Sequence, residues 1–276
     1  MQATMTPDTT VALAPPTAGR ELRATLASET TKLRSVRSTM WTLLITVVAT
    51  IGIGVVVCLA IVNRWDSLSL HERATLDPAL ESMNGLFLAQ LAIGVLGVLV
   101  ISSEYSTGMI RTTLAAVPQR RIVLAAKVIV FAVVAFVVAF AGCLAAFSVG
   151  QAILSGKGIG LSLGNAASVR AVFGAAGYLT AVGLLGLAIG TILRRPAGGI
   201  ASLFGLVLVL PMLTNALPSP WNTDVEKYLP SSAGRAMFAT RGASDLLRPG
   251  AGLAVLAAYV VVALALAGVA LARRDA

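Results

Sequence analysis

Six apolar stretches, separated by short polar segments, set the rhythm of the chain: Trp41–Val62, Gly85–Ile101, Val128–Leu154, Ala171–Leu193, Ala197–Leu217 and Ala251–Ala272. Most reach the roughly 20 residues that carry a helix across about 30 Å of hydrocarbon. The second is the shortest and borrows Met83, Asn84, Ser102 and Ser103 at its ends. None holds an Asp, Glu, Lys, Arg or His in its interior. The pattern predicts an all-α, polytopic membrane protein with six transmembrane helices. It also predicts no proton or ion relay through the spans, because ionisable groups mark such paths in pumps and transporters.

The polar segments have their own patterns. Residues 1–19 are rich in Thr, Ala and Pro, a composition that predicts a disordered tail. In residues 20–40, Leu22, Leu26, Leu33, Val36 and Met40 recur at helical spacing with Arg23, Lys32, Arg34 and Arg37 between them. This predicts an amphipathic helix on the inner membrane face, its basic side towards lipid headgroups or a partner; a solvated helix leading into span one is the plainer alternative. Residues 41–276 then form one six-span domain. Within it, segment 103–118 follows span two, with Gly108 as a stop or bend and Pro118 as a helix breaker, which predicts a short helix on the cytoplasmic side. Arg194-Arg195-Pro196 alone separates spans four and five and predicts a tight hairpin. Gly183, Gly186 and Gly190 in span four are small residues at the spacing that lets helix backbones approach closely, within a subunit or at an interface. Pro211 is expected to kink span five. The outer loop 218–250 carries Trp221, Tyr228 and Pro230 as interfacial anchors, with a short helix starting in Ser219–Glu226.

Composition agrees with the spans: 57% of the 276 residues are hydrophobic and mean hydropathy is +0.87, well above soluble proteins. A net charge of +9 raises nucleic acid as a partner, but the basic residues sit in small clusters at span ends. They read as topology signals, and nucleic acid is set aside. With both termini on one side, that side carries 13 Lys and Arg and the other 8, so both termini are expected in the cytoplasm. The first apolar run, at Trp41, is too long for the core of a signal peptide.

Catalytic chemistry is hard to find. His71 stands in the first outer loop beside Glu72, Cys58 and Cys143 fall inside spans, and no nucleophile-elbow, zinc-protease or Cys-x-x-Cys motif occurs. The phosphate-binding glycine loop is missing too: Gly156-Lys157 is the only Gly-Lys pair and has Gln151 where the first glycine belongs. The expectation is a chain that is not an enzyme and holds no metal or cofactor.

The remaining signal is the segment Glu104-Tyr105-Ser106-Thr107-Gly108-Met109-Ile110-Arg111-Thr112-Thr113-Leu114, followed by Pro118-Gln119-Arg120-Arg121 and Lys127. Its compact mix of donors and acceptors suits docking into a protein groove. It resembles the acidic-aromatic, glycine and arginine pattern after the second span of type-2 ABC exporter permeases, a family of bacterial ABC transporter membrane subunits. So does the entry to span one, from Glu29 through Lys32, Arg34 and Arg37 to Trp41, and the outer segment from Tyr228 to Gly234. The resemblance implies a permease in the bacterial inner membrane that dimerises, as a homodimer or heterodimer, and binds two ATP-binding subunits, with ATP and magnesium held by those partners. It implies that residues 20–40 are a connecting helix, with Glu29, Lys32, Arg34 and Arg37 on it. It implies a coupling helix seated on the ATPase, carried by Glu104, Tyr105, Thr107, Gly108, Arg111 and Thr112. Efflux of a hydrophobic or amphipathic cargo, a drug, lipid or peptide, fits the charge-free spans. The competing reading is a self-sufficient secondary transporter or channel; a membrane-anchored enzyme lacks a catalytic group.

Overall fold

A computed structural model describes residues 18–242 and 246–273. The tail expected over residues 1–19 therefore lies almost wholly outside the described residues, as does Arg274. Helix accounts for 84% of the structure, with no strand among the described residues.

The helices are α1 (Ala18–Ser35), α2 (Arg37–Arg64), α3 (Leu70–Thr75), α4 (Pro78–Ser82), α5 (Leu86–Ser106), α6 (Met109–Ala116), α7 (Arg120–Ser155), α8 (Ala166–Leu193), α9 (Pro196–Phe204), α10 (Leu210–Asn215), α11 (Trp221–Glu226), α12 (Pro230–Phe238) and α13 (Pro249–Arg273). Six helical segments have the length and hydropathy to cross a membrane: Arg37–Ser67, Leu86–Ser106, Arg120–Ser155, Ala166–Leu193, Pro196–Thr214 and Pro249–Arg273. They coincide with the six apolar stretches, and all but the fifth run longer. The 36 residues of α7 extend about 54 Å at 1.5 Å per residue, well beyond a hydrocarbon layer of about 30 Å.

Local chemistry sets the boundaries. Val36 is extended, φ −83° and ψ 106°, and separates α1 from α2, so Arg37 to Met40 belong to the helix of span one. Prolines occupy the first turns of α4, α9 and α12, where the missing N–H costs nothing. Ser69 and Glu72 form a reciprocal capping box on α3, and the Asn165 side chain accepts from the Ala167 amide to start α8. A local change of helix type accompanies Pro211. Gly205–Val209 is a π-helical turn that directly precedes α10, and the Leu210 amide donates to the Gly205 carbonyl. Widening the turn accommodates a residue that cannot donate in the α register.

Helix α8 is the hub, buried along most of its length, whereas α13 is largely exposed. It packs on α5 backbone to backbone. A Cβ on Gly186 would strike the Gly94 carbonyl, and one on Gly190 would come within 2.7 Å of the Val98 carbonyl. A side chain on Gly183 would meet the Phe131 ring of α7 at 2.6 Å. The glycines singled out in span four thus face neighbours within this chain. Phe131, Phe147, Leu179 and Leu187 fill the shared core.

Candidate functional site

Four helices that are distant in sequence converge at one end of the bundle. Arg120 Nη1 donates to the Leu271 carbonyl over 2.9 Å, so the end of α13 closes on the start of α7. The α8–α9 hairpin closes there too, through the Tyr105 contact described below. This is the end that charge counting assigns to the cytoplasm.

The centre of the site is an ion-pair box. Lys127 Nζ, on α7, donates to Glu29 Oε2 of α1 and to Glu104 Oε1 of α5, each over 2.7 Å. Lys32, one turn on from Glu29, donates to Glu29 Oε1 at 2.8 Å, to Glu104 Oε1 at 3.0 Å and to Thr113 Oγ1 of α6 at 3.4 Å. Two lysines and two glutamates therefore cancel, and α1, α5, α6 and α7 each contribute a side chain. Lys127 is 1% exposed and Glu29 3%. A charge that far from water persists only when paired, and removing one member strands the other. The remaining Glu104 oxygen, Oε2, is buried without a hydrogen-bond partner among the described residues. Burial works against the Lys32 ammonium, but its hydrogen bonds to Glu29 and Glu104 and their negative charges prevail and raise its pKa above the ordinary 10.5.

The box changes the reading of two lysines. Lys127, one of the basic residues at span ends, is buried in the packed face of α7. Lys32 and Glu29 point into the bundle, so the basic side of α1 consists of exposed Arg20, Arg23 and Arg34.

Tyr105, next to Glu104, turns the other way. The Arg194 guanidinium lies over its ring, 4.9 Å from the centroid, a cation–π contact that ties the end of α5 to the α8–α9 hairpin. Arg194 itself adopts φ 58°, the left-handed region that few non-glycine residues occupy.

Beyond this anchorage the segment faces outward. Gly108, with φ 76°, stands at the start of α6, and this positive φ turns the chain out of α5. Thr107 donates to the Ser103 carbonyl and Thr112 to the Met109 carbonyl, both over 2.8 Å. Thr107, Gly108, Arg111 and Thr112 are exposed, as are Arg34 and Arg37, while Ile110 is buried beneath α6. The six residues named from the sequence thus divide: Glu104 and Tyr105 anchor, and the other four form an exposed face.

Sequence reasoning passed over Lys127, Arg194 and Asp77 as site residues. For Lys127 a signal existed: Val123, Lys127 and Phe131 recur every four residues, which puts the lysine on the buried face of a helix begun at Arg120. Asp77, at the opposite end, accepts from the Ala79 and Leu80 amides and from Thr240 and the Arg241 amide, which binds the start of α4 to the segment after α12. No local pattern announces that pairing. Among the described residues no group of three or more His, Cys, Asp or Glu is arranged to hold a metal.

The structure is thus a six-span helical bundle with an exposed helix clamped to its polar end. The family model described as ABC-2 family transporter protein matches residues 25–214, more than two thirds of the chain, and the chain belongs to that family. This is the type-2 ABC permease family that the sequence motifs resemble. Members associate with ABC ATP-binding subunits. No individually curated protein matches the chain.

Proposed function

We propose that this chain is the permease subunit of an ATP-driven exporter in the bacterial inner membrane, with both termini in the cytoplasm. Two copies associate, each with one ATP-binding subunit that holds ATP and magnesium. The exposed face of α6, carrying Met109, Arg111 and Thr112, is the docking surface. The observation that carries this reading is the ion-pair box: a push on α6 or α1 reaches α5 and α7 through Lys32, Glu104 and Lys127 without a flexible joint between them. The Tyr105–Arg194 contact passes the same displacement to the hairpin of spans four and five. Closure of the ATP-binding subunits then moves whole helices, a rigid-body switch between inward- and outward-open states. Interiors of the spans that lack ionisable groups suit a hydrophobic or amphipathic cargo.

The test is a mild-detergent pull-down from native membranes, then ATP hydrolysis by the reconstituted complex. A Walker A protein is expected in equal amount, and Arg111→Ala is expected to lower cargo-stimulated hydrolysis while membrane insertion stays intact. A folded, partner-free chain that catalyses gradient-driven flux alone would replace this reading with the secondary-transporter one.

A further inference from the structure

At the end of α5 opposite Glu104 lies a cavity of about 450 Å³, within the range of small-molecule sites. It sits inside one subunit, between α5, α8, the π turn with α10, and the outer helices α4, α11 and α12. Phe87, Met212 and Phe238 supply apolar and aromatic wall, and Glu81, Glu226 and Arg235 supply charge. Phe87 is 55% and Met212 69% exposed, large apolar groups left uncovered beside a polar lining. Tyr178 donates to the Gln90 side-chain carbonyl at the wall, which leaves the phenol oxygen's acceptor sites toward the cavity unspent.

Three observations say what the cavity takes. Neither Glu81 nor Glu226 has an ion-pair partner among the described residues, and two carboxylates outnumber the single guanidinium of Arg235. Asp77, the acidic neighbour of Glu81, is spent on the Thr240 and Arg241 backbone. The Ser231 oxygen, sealed from solvent on the lining, has no hydrogen-bond partner among the described residues. Burial, with the Asp77 charge adding to it and Arg235 and an Asn84 hydrogen bond opposing, raises the Glu81 pKa; an acid held this way gains from a cation more than a solvated one does. Aromatic rings and a polarisable methionine then suit an organic body around that cation.

We infer that this cavity is a binding site for an amphipathic organic cation, its charged centre between Glu81 and Glu226 and its apolar body against Phe87, Met212 and Phe238. Binding is asserted of this chain alone and does not depend on the export reading.

The test uses the purified full chain, with neither ATP nor partner. Radiolabelled tetraphenylphosphonium is titrated by equilibrium dialysis against tetraphenylborate, which has the same shape and opposite charge. One saturable cation site per chain is expected, with tetraphenylborate binding at least about tenfold weaker. Glu81→Gln and Glu226→Gln, on separate helices, are each expected to weaken the cation by about tenfold and leave the anion unchanged. Equal affinity for the two ions, no saturable binding by folded protein, or undiminished cation binding in both variants would overturn the site. Failure of the pull-down above leaves this result untouched, and the reverse also holds.

Discussion

Lys127 and Glu29 are 98 residues apart in sequence, yet Nζ and Oε2 are 2.7 Å apart, both buried where α1 meets α7. Each also has a second partner in the box, Glu104 for Lys127 and Lys32 for Glu29. The pair makes the polar end of the bundle a unit in which α1 cannot shift without dragging α7.

Replacing Lys127 with Met should cost about 3–5 kcal/mol, because two glutamates are left buried with only Lys32 between them. The double variant Lys127→Met, Glu29→Gln should cost less than the sum of the singles, since Lys32 and Glu104 then remain as a balanced pair at 3.0 Å. Thermal unfolding of the four forms in detergent measures the coupling; additivity would separate the two residues energetically.

The raised pKa of Lys32 makes a prediction in alkali. Its contribution is fully present below the ordinary 10.5 and is lost as pH climbs through the higher folded value. The difference in Tm between the wild-type chain and Lys32→Gln should therefore shrink as pH passes above 10.5. A difference that stays constant through that window would show that the Lys32 charge adds nothing to the fold.

Glu81 behaves in the opposite sense. Its folded pKa is held above the ordinary 4.5 by burial and by Asp77, against Arg235 and an Asn84 hydrogen bond, so ionisation at neutral pH opposes folding. Glu81→Gln should raise Tm at pH 7 by on the order of 1–2 °C, and the advantage should vanish as pH falls below 4.5. A lowered Tm at pH 7 would mean that the carboxylate has a stabilising partner.

Two glycines separate packing from propensity. Gly186→Val drives a side chain into the Gly94 carbonyl and should destabilise by more than about 4 kcal/mol, visible as lost monodisperse protein. Gly52 has nothing within 4 Å of an added Cβ, and Gly52→Ala should be neutral or stabilise by up to about 1 kcal/mol. Equal effects would refute the close approach of α5 and α8.

Much of this protein was legible in the chain itself. A bilayer demands that each crossing segment satisfy its own backbone and bury no unpaired charge, so the six spans, the Arg194-Arg195-Pro196 hairpin and the disturbance at Pro211 follow from local residue order. The glycine spacing of span four announced close packing for the same reason, since only small residues allow it. The polar segment from Glu104 through Gly108 to Arg111 stood out by its residue types. What tertiary structure alone decided is which charges meet. Lys127 and Arg121 look alike beside an apolar run, but a 36-residue helix turns one inward to meet Glu29 and Glu104 and leaves the other exposed. Asp77, Arg194 and the cavity before Glu81 likewise depend on partners in distant segments. The four-residue recurrence of Val123, Lys127 and Phe131 marks a buried face, but pairing energy is a property of distance in space, and only packing brings Glu29 and Glu104 to that face.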